Sequence, residues 1–219
     1  FQKKSGRLNN VKQKIDNVQE LNSNNINFIF IGEINVGKSS VINCLLNAEE
    51  CPIGIRRTTL TNTLVSSEDK KFFNSNYVNL IDTIGFDSKS KDKIENESKW
   101  IISQLDKVSH LFFITSYDKC FDTEYELNCF ENIYNEIMKL KELNHLIELT
   151  IIINKGDESN SDSELKGQIS NIKSKLEGYF SKLKIDIVCI SAKYIFNELQ
   201  KSITGKEVDG SKFIGYEQL

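Results

Sequence analysis

The sequence predicts an α/β chain: a mainly parallel six-stranded sheet with helices on both faces. Three observations carry this expectation. Short apolar runs of strand length alternate with longer segments whose apolar residues recur at helical spacing. Such alternation is what successive strand–helix–strand crossovers produce. The distinctive short motifs also fall just behind the apolar runs, where a parallel sheet gathers the carboxyl ends of its strands. Finally, 219 residues are enough for one such unit with a sizeable core.

The elements follow in order. Residues 26–31 (INFIFI) read as a buried strand, and 40–46 (SVINCLL) continue as a helix. Residues 60–66 and 76–81 read as paired strands joined through Asp69-Lys70-Lys71. A helix is expected over 93–107, with Ile94, Ile101 and Leu105 inward, and then a strand over 110–115. Leu127, Phe130, Ile133, Ile137 and Leu140 mark another helix, followed by a strand over 149–153. Leu165, Ile169, Ile172, Leu176 and Phe180 form a helical stripe before the strand at 185–190. Ile195, Phe196, Leu199 and Ile203 mark the last helix. The domain so defined covers 26–204. Residues 1–25 carry Leu8, Val11, Ile15 and Val18 at 3-4-3 spacing and are expected as an N-terminal helical extension, too short for a coiled coil. Residues 205–219, with Gly205, Gly210 and Gly215, read as an irregular tail that Phe213 and Tyr216 could anchor.

Residues 32–39 read Gly-Glu-Ile-Asn-Val-Gly-Lys-Ser between the first strand and the first helix. This is the G-x-x-x-x-G-K-S pattern in the context a phosphate-binding loop needs. Gly32 and Gly37 let the backbone wrap an anion with N–H groups inward, and the helix adds its positive end. The segment Gly32, Glu33, Asn35, Val36, Gly37, Lys38, Ser39 and Ser40 is therefore a nucleotide-binding candidate. Lys38 would reach the β/γ-phosphates and the Ser39 hydroxyl would ligate Mg²⁺. Asp82-Thr83-Ile84-Gly85 is a D-x-x-G at another strand end. Its Asp82 would hold Mg²⁺ through water, and the Gly85 N–H would meet the γ-phosphate. Arg57-Thr58-Thr59 lies between the first helix and the next strand, where a threonine can close over the metal while the γ-phosphate is present. Thr59 fits best by its distance from Lys38, with Thr58 second.

The base is set elsewhere. Asn154-Lys155-Gly156-Asp157 is an N-K-x-D behind the strand at 149–153. Asp157 would accept hydrogen bonds from guanine N1 and N2, whereas adenine would leave its carboxylate desolvated and unpaired. Lys155 would lie along the base, and Asn154 would tie this loop to the phosphate loop. Ser191-Ala192-Lys193 follows the last strand, with the Ala192 N–H expected to donate to guanine O6. The expected ligands are GTP or GDP and Mg²⁺.

Together these motifs span about 26–203 and resemble the Ras-like G domain. The stretch Asn35-Val36-Gly37-Lys38-Ser39-Ser40-Val41-Ile42-Asn43 is most similar to translation-factor-related GTPases, both the Era and tRNA-modifying group and the dynamin-like group. Cys51-Pro52-Ile53-Gly54-Ile55-Arg56-Arg57-Thr58-Thr59 leans towards the dynamin-like proteins; Asp82-Thr83-Ile84-Gly85-Phe86-Asp87 carries a weaker septin-like echo. The resemblance implies a GTPase with switch segments near 51–66 and 82–99. It implies G-domain homodimerisation in the GTP state and membrane contact only through sequence beyond these ends. The dynamin-like reading stands first. The alternatives are a regulatory GTPase of the Era and tRNA-modifying type acting on RNA or ribosomes, and a septin-like subunit with little turnover. Where Ras has the glutamine that orients the attacking water, this chain has Phe86, which neither donates nor accepts. Asn35 occupies the position that in the Era and tRNA-modifying group helps bind K⁺ beside the phosphates, though an asparagine there also suits a tight turn. Arg56 or Arg57 could supply charge instead. The catalytic candidates are Lys38, Asn35, Thr59 and Gly85.

Composition excludes other classes. With 28 basic and 31 acidic residues the net charge is −3, so there is no broad electrostatic grip on nucleic acid or anionic lipid. The lysines at 89, 91 and 93 read as a solvated switch loop. Five cysteines, at 44, 51, 120, 129 and 189, are odd in number and lack metal-ligand spacing, and Cys44 and Cys189 fall in apolar runs. A reducing, cytoplasmic setting is expected, at most peripheral to a membrane. The longest apolar runs are strand-sized, so neither a spanning helix nor a signal peptide is expected. Phe at position 1 suggests an excised domain or processed product. His110 and His145 read as structural or exposed.

Overall fold

β2 (Ile26–Ile31) sits at the centre of the sheet because it is apolar on both faces; Ile29, Phe30 and Ile31 are fully buried. The structure is a computed structural model, and it describes residues 11–16, 18–51, 53, 61–67, 78–86 and 91–203. β2 pairs in parallel with β4 (Val78–Asp82) on one side and β5 (His110–Ser116) on the other. Beyond β5 lie β6 (Glu148–Asn154) and β7 (Ile185–Cys189), both parallel. Beyond β4 lies β3 (Thr63–Ser67), antiparallel to it. These six strands are the expected ones, with β3 beginning at Thr63 rather than near 60.

A seventh strand, β1 (Val11–Asp16), lies antiparallel to β3, giving the order β1-β3-β4-β2-β5-β6-β7. The expected N-terminal helix is thus corrected over these residues. Helical apolar spacing lost to the unpaired edge of β3, whose backbone groups β1 satisfies. After β1 the chain folds back: Val18 N donates to Asn62 O (2.9 Å), Leu21 N donates to Gln104 Oε1 (2.8 Å), and Val18 and Leu21 are buried. The 69–71 turn, residues 1–10 and 204–219, and the switch threonines Thr58 and Thr59 with Arg56 and Arg57 lie outside the described residues.

Alternation along the strands splits the core in two. Ile29, Ile31, Phe113, Ile151 and Ile153 face α2 (Lys91–Gln104), α3 (Glu124–Glu142), α4 (Asp162–Lys175) and α5 (Glu177–Phe180). Phe30, Ile114 and Ile152 face α1 (Lys38–Leu46) and α6 (Ala192–Ile203). Inward positions of α3 match the predicted stripe, with Phe130, Ile133 and Ile137 buried. Ile101 and Leu105 are likewise buried, Leu105 in a 3₁₀ turn that ends α2. The 165–180 stripe divides at Leu176, which closes α4 and precedes α5. All five cysteines are free thiols; Cys189 is buried, but Cys44 is half-buried on α1 rather than a full core residue. No described helix is long and apolar enough to cross a membrane. Among the described residues, the loops at 32–37, 83–86, 155–157 and 190–191 each leave a strand at its carboxyl end.

Candidate functional site

β2 runs directly into the glycine loop. At Gly32 (φ +148°) the backbone crosses so close to β5 that a Cβ would lie 2.1 Å from Ile114 O. Asn35 (φ +67°) and Gly37 (φ +93°) take left-handed conformations, which asparagine and glycine tolerate best, and they curl the loop into the first turn of α1. No acidic residue lies in that turn, so the positive end of the helix keeps its field. Lys38 is buried, and its ammonium donates back to Gly32 O (3.2 Å) and Glu33 O (3.0 Å), spanning the loop. The Ser39 hydroxyl donates to Asp82 Oδ2 at 2.6 Å, and Asp82 is buried at the end of β4. The first two motifs thus share one point. The Asn35 side chain is exposed at the rim.

The D-x-x-G turn is zipped onto the same loop. Phe86 N donates to Gly32 O (3.1 Å), and Ile34 N donates to Phe86 O (3.0 Å). Gly85 lies so close beneath Ile34 that a Cβ would be 2.7 Å from its Cα. The Phe86 ring is buried in the core, so it plays no polar part at this site.

The third motif joins through Asn154, the last residue of β6. Its Nδ2 donates to Val36 O in the glycine loop (2.9 Å), as expected, and its Oδ1 accepts from Ala192 N (3.0 Å). The second bond occupies the Ala192 N–H that the sequence places at guanine O6. α6 begins at Ala192, and that first turn sits against the Asn154 amide, which takes the N–H. Lys155 adopts φ +62° and holds its ammonium 4.0 Å from Asp118 and 3.9 Å from Glu158. Asp157 accepts a short hydrogen bond from the Ser191 hydroxyl. Lys193 is exposed on the first turn of α6.

Behind the loop lies a polar cluster that sequence reading missed. The Glu33 side chain turns away from the loop to pair with Lys119 and to accept from Thr123 Oγ1 (3.2 Å). Thr123 also caps α3 by accepting from Glu126 N (3.1 Å), while Glu126 Oε2 takes Phe121 N at 2.9 Å. The signal was present: Thr123-Glu124-Tyr125-Glu126 has the T-x-x-E form of a capping box. Glu126 is fully buried. Desolvation, seconded by the charge of Glu33, raises its carboxyl to about 7 against the pull of Thr115, Phe121 N–H and Lys119.

Chemically, the cluster of Ser39 and Asp82 offers hard oxygen donors, an alcohol beside a buried carboxylate, which fits Mg²⁺ completed by water and phosphate oxygens. The family model described as 50S ribosome-binding GTPase matches residues 27–155. The tRNA modification GTPase MnmE of Mycoplasmoides gallisepticum is 29% identical over 165 residues, covering 69% of this chain and 32% of its own. GTPase Der of Lactococcus lactis subsp. lactis is 29% identical over 164 residues, covering 72% and 34%. The chain therefore spans about a third of the length of the curated relatives it matches. Among solved structures, Aquifex aeolicus Era bound to GDP·AlF4⁻ superposes with TM-score 0.56 at 22% identity, covering 84% of this chain and 57% of that one. A dimerisation-deficient mutant of Toc33 from Arabidopsis thaliana gives 0.58 at 14%, covering 84% and 86%. At these identities the likeness establishes the Ras-like G-domain fold.

One outcome is expected of the buried carboxyl. Folding makes Glu126 hold its proton from an ordinary 4.5 up to about 7. The stability this contributes is complete below 4.5 and is lost as pH rises through about 7. Relative to Glu126→Gln, the unmodified chain should lose thermal stability across that window; melting curves at its two ends that shift equally in both proteins would contradict the assignment.

Proposed function

The chain belongs to the family of 50S ribosome-binding GTPases, and we propose that its loop 32–39 binds Mg²⁺·GTP and that the domain hydrolyses it to GDP and phosphate as a conformational switch. The observation that carries this reading is the Asn154–Val36 hydrogen bond, which joins a phosphate loop to an Asn-Lys-x-Asp loop 118 residues away. In this reading the loop amides and Lys38 hold the β/γ-phosphates, with the Lys38 ammonium exchanging the carbonyls of Gly32 and Glu33 for phosphate oxygens. Ser39 and Asp82 hold the metal, with Thr59, or else Thr58, closing over it. Mg²⁺ supplies neutralisation of charge on the transferred phosphoryl group. Gly85 N–H meets the γ-phosphate, and its insertion against Ile34 is the contact that phosphate binding would reset. Asp157, fixed by Ser191, reads the guanine, with Lys155 along the ring and Lys193 nearby.

The buried ring of Phe86 supports water positioning by main chain or by a cation rather than by that side chain. Asn35, exposed at the rim with left-handed backbone, is the K⁺ candidate. The relatives matched are of the Era and tRNA-modifying type, so the regulatory reading, action on RNA or ribosomes, takes precedence over the dynamin-like one that sequence motifs put first. One solved Era complex holds a 16S ribosomal RNA segment with MgGDPNP, which supports the same direction. A G-domain dimer in the GTP state and a cytoplasmic setting are parts of this proposal.

Phosphate release from GTP should require Mg²⁺. Lys38→Ala should lower it by at least about 10²-fold, the scale of losing one preorganised charge donor. K⁺ should accelerate it over Na⁺ in the unmodified chain and not in Asn35→Ala; equal rates in both salts and both proteins would remove the cation role. To separate the two outputs, the chain is sedimented with ribosomal subunits and, in parallel, with anionic vesicles in GTP-analogue buffer. Retention with subunits alone supports the regulatory reading; retention with vesicles alone restores the dynamin-like one.

A further inference from the structure

The glycine loop carries a carboxylate where an anion-binding segment is least suited to one. Glu33 directly follows Gly32 and is the one acidic residue between Gly32 and Ser40. Inward N–H groups and a helix N-terminus gather positive potential for an anion, and a negative charge within the loop opposes it. Glu33 is also buried, so water does little to screen that charge. Its oxygens are met from behind. The Lys119 ammonium pairs with Oε2, and Thr123 Oγ1 donates to Oε1 at 3.2 Å. Lys38 takes a different atom of the same residue, the Glu33 carbonyl oxygen, at 3.0 Å.

The turn that presents Lys119 is held in one place. Lys119 N and Cys120 N both donate to Ser116 O at the end of β5, at 2.9 and 3.0 Å. Cys120 (φ +42°) and Phe121 (φ +60°) then take left-handed backbone, which neither residue type favours. Burial and a cation hold them there. The Phe121 ring is fully buried and stacks on Phe113, 5.1 Å between centres. The Lys175 ammonium donates to Cys120 O (3.3 Å) and Phe121 O (3.2 Å). Just before Lys119, Tyr117 N donates to Asn154 O (2.8 Å), so the same turn is fixed to the Asn-Lys-x-Asp loop. We propose that Lys119 is the counter-charge of the phosphate loop, neutralising Glu33 so that the loop can take the anionic end of a nucleotide. This rests on the reading of 32–39 as a phosphate loop and adds to it a positioning residue 86 positions from Glu33, outside every motif.

A counter-charge and a mere tether differ in the sign of one effect. A tether is weakened by losing either partner, whereas a counter-charge makes affinity follow the net charge behind the loop. Calorimetric titration of the full chain with GDP in Mg²⁺ buffer separates them. Lys119→Met should weaken binding roughly tenfold, the order of one uncompensated charge near a protein surface. Glu33→Gln, which keeps an oxygen for Thr123, should tighten it several-fold, because Lys119 then stands unopposed. The double variant should return to within about twofold of the unmodified chain, as compensating charges do. Lys119→Arg should match the unmodified chain. Glu33→Gln leaves no unpaired buried anion, so it decides the matter even if Lys119→Met fails to fold. Weaker binding by Glu33→Gln, or no change in either single variant, would overturn the proposal. An unmodified chain that binds no GDP is a separate result, which would sink the nucleotide reading and the proposal with it.

Discussion

One carboxamide holds the site together. Asn154 donates to the phosphate loop at Val36 and accepts from the first residue of α6, so three segments from distant parts of the sequence converge on a side chain buried at the end of β6. Both partners are main-chain groups that would otherwise be desolvated and unpaired, which makes the amide hard to replace. The constraint reaches its neighbour too. A Cβ at Gly37 would lie 2.2 Å from Asn154 Nδ2, and the φ of +93° there would strain any L side chain. The glycine the phosphate loop needs is thus fixed from outside as well as by the loop's own curvature.

A second layer fixes the same loop from behind. Glu33 is buried, and its pairing with Lys119 and Thr123 binds the loop to the segment that opens α3. Burying such a pair is costly unless each atom is hydrogen-bonded, so its worth is geometric rather than a large net stabilisation. The D-x-x-G turn adds a third attachment through the paired backbone of Phe86 and the loop. The Asn154 segment and the D-x-x-G turn therefore both attach to the loop's main chain, the first at Val36 and the second at Gly32 and Ile34.

Much of this was legible in the sequence because the chemistry is local. Gly32 to Ser39, Asp82 to Gly85 and Asn154 to Asp157 each announce themselves by residue type and spacing, and each strand end is marked by an apolar run. The Asn154 tie to the loop was also foreseeable, since the motif has only one amide to make it. What escaped depends on partners remote in sequence. Residues 11–16 carry a helical apolar pattern, yet the open edge of β3 pairs them as a strand. The bond from the Ala192 amide to Asn154 could not be read from Ser191-Ala192-Lys193, because its acceptor lies 38 positions earlier. Glu33 is an unremarkable loop residue until Lys119, 86 positions on, reaches it. Only the T-x-x-E at Thr123 hinted at that cluster.

The central claim is that a single carboxylate, Asp157, selects guanine at a site whose phosphate loop would accept any nucleotide. Calorimetric titration of the chain with GDP and with ADP in Mg²⁺ buffer tests it most directly. GDP should bind roughly 10⁴-fold more tightly, the discrimination expected when a site built to hydrogen-bond a ligand meets one lacking the donors. Equal affinity for the two, or no detectable binding of either, would contradict the account.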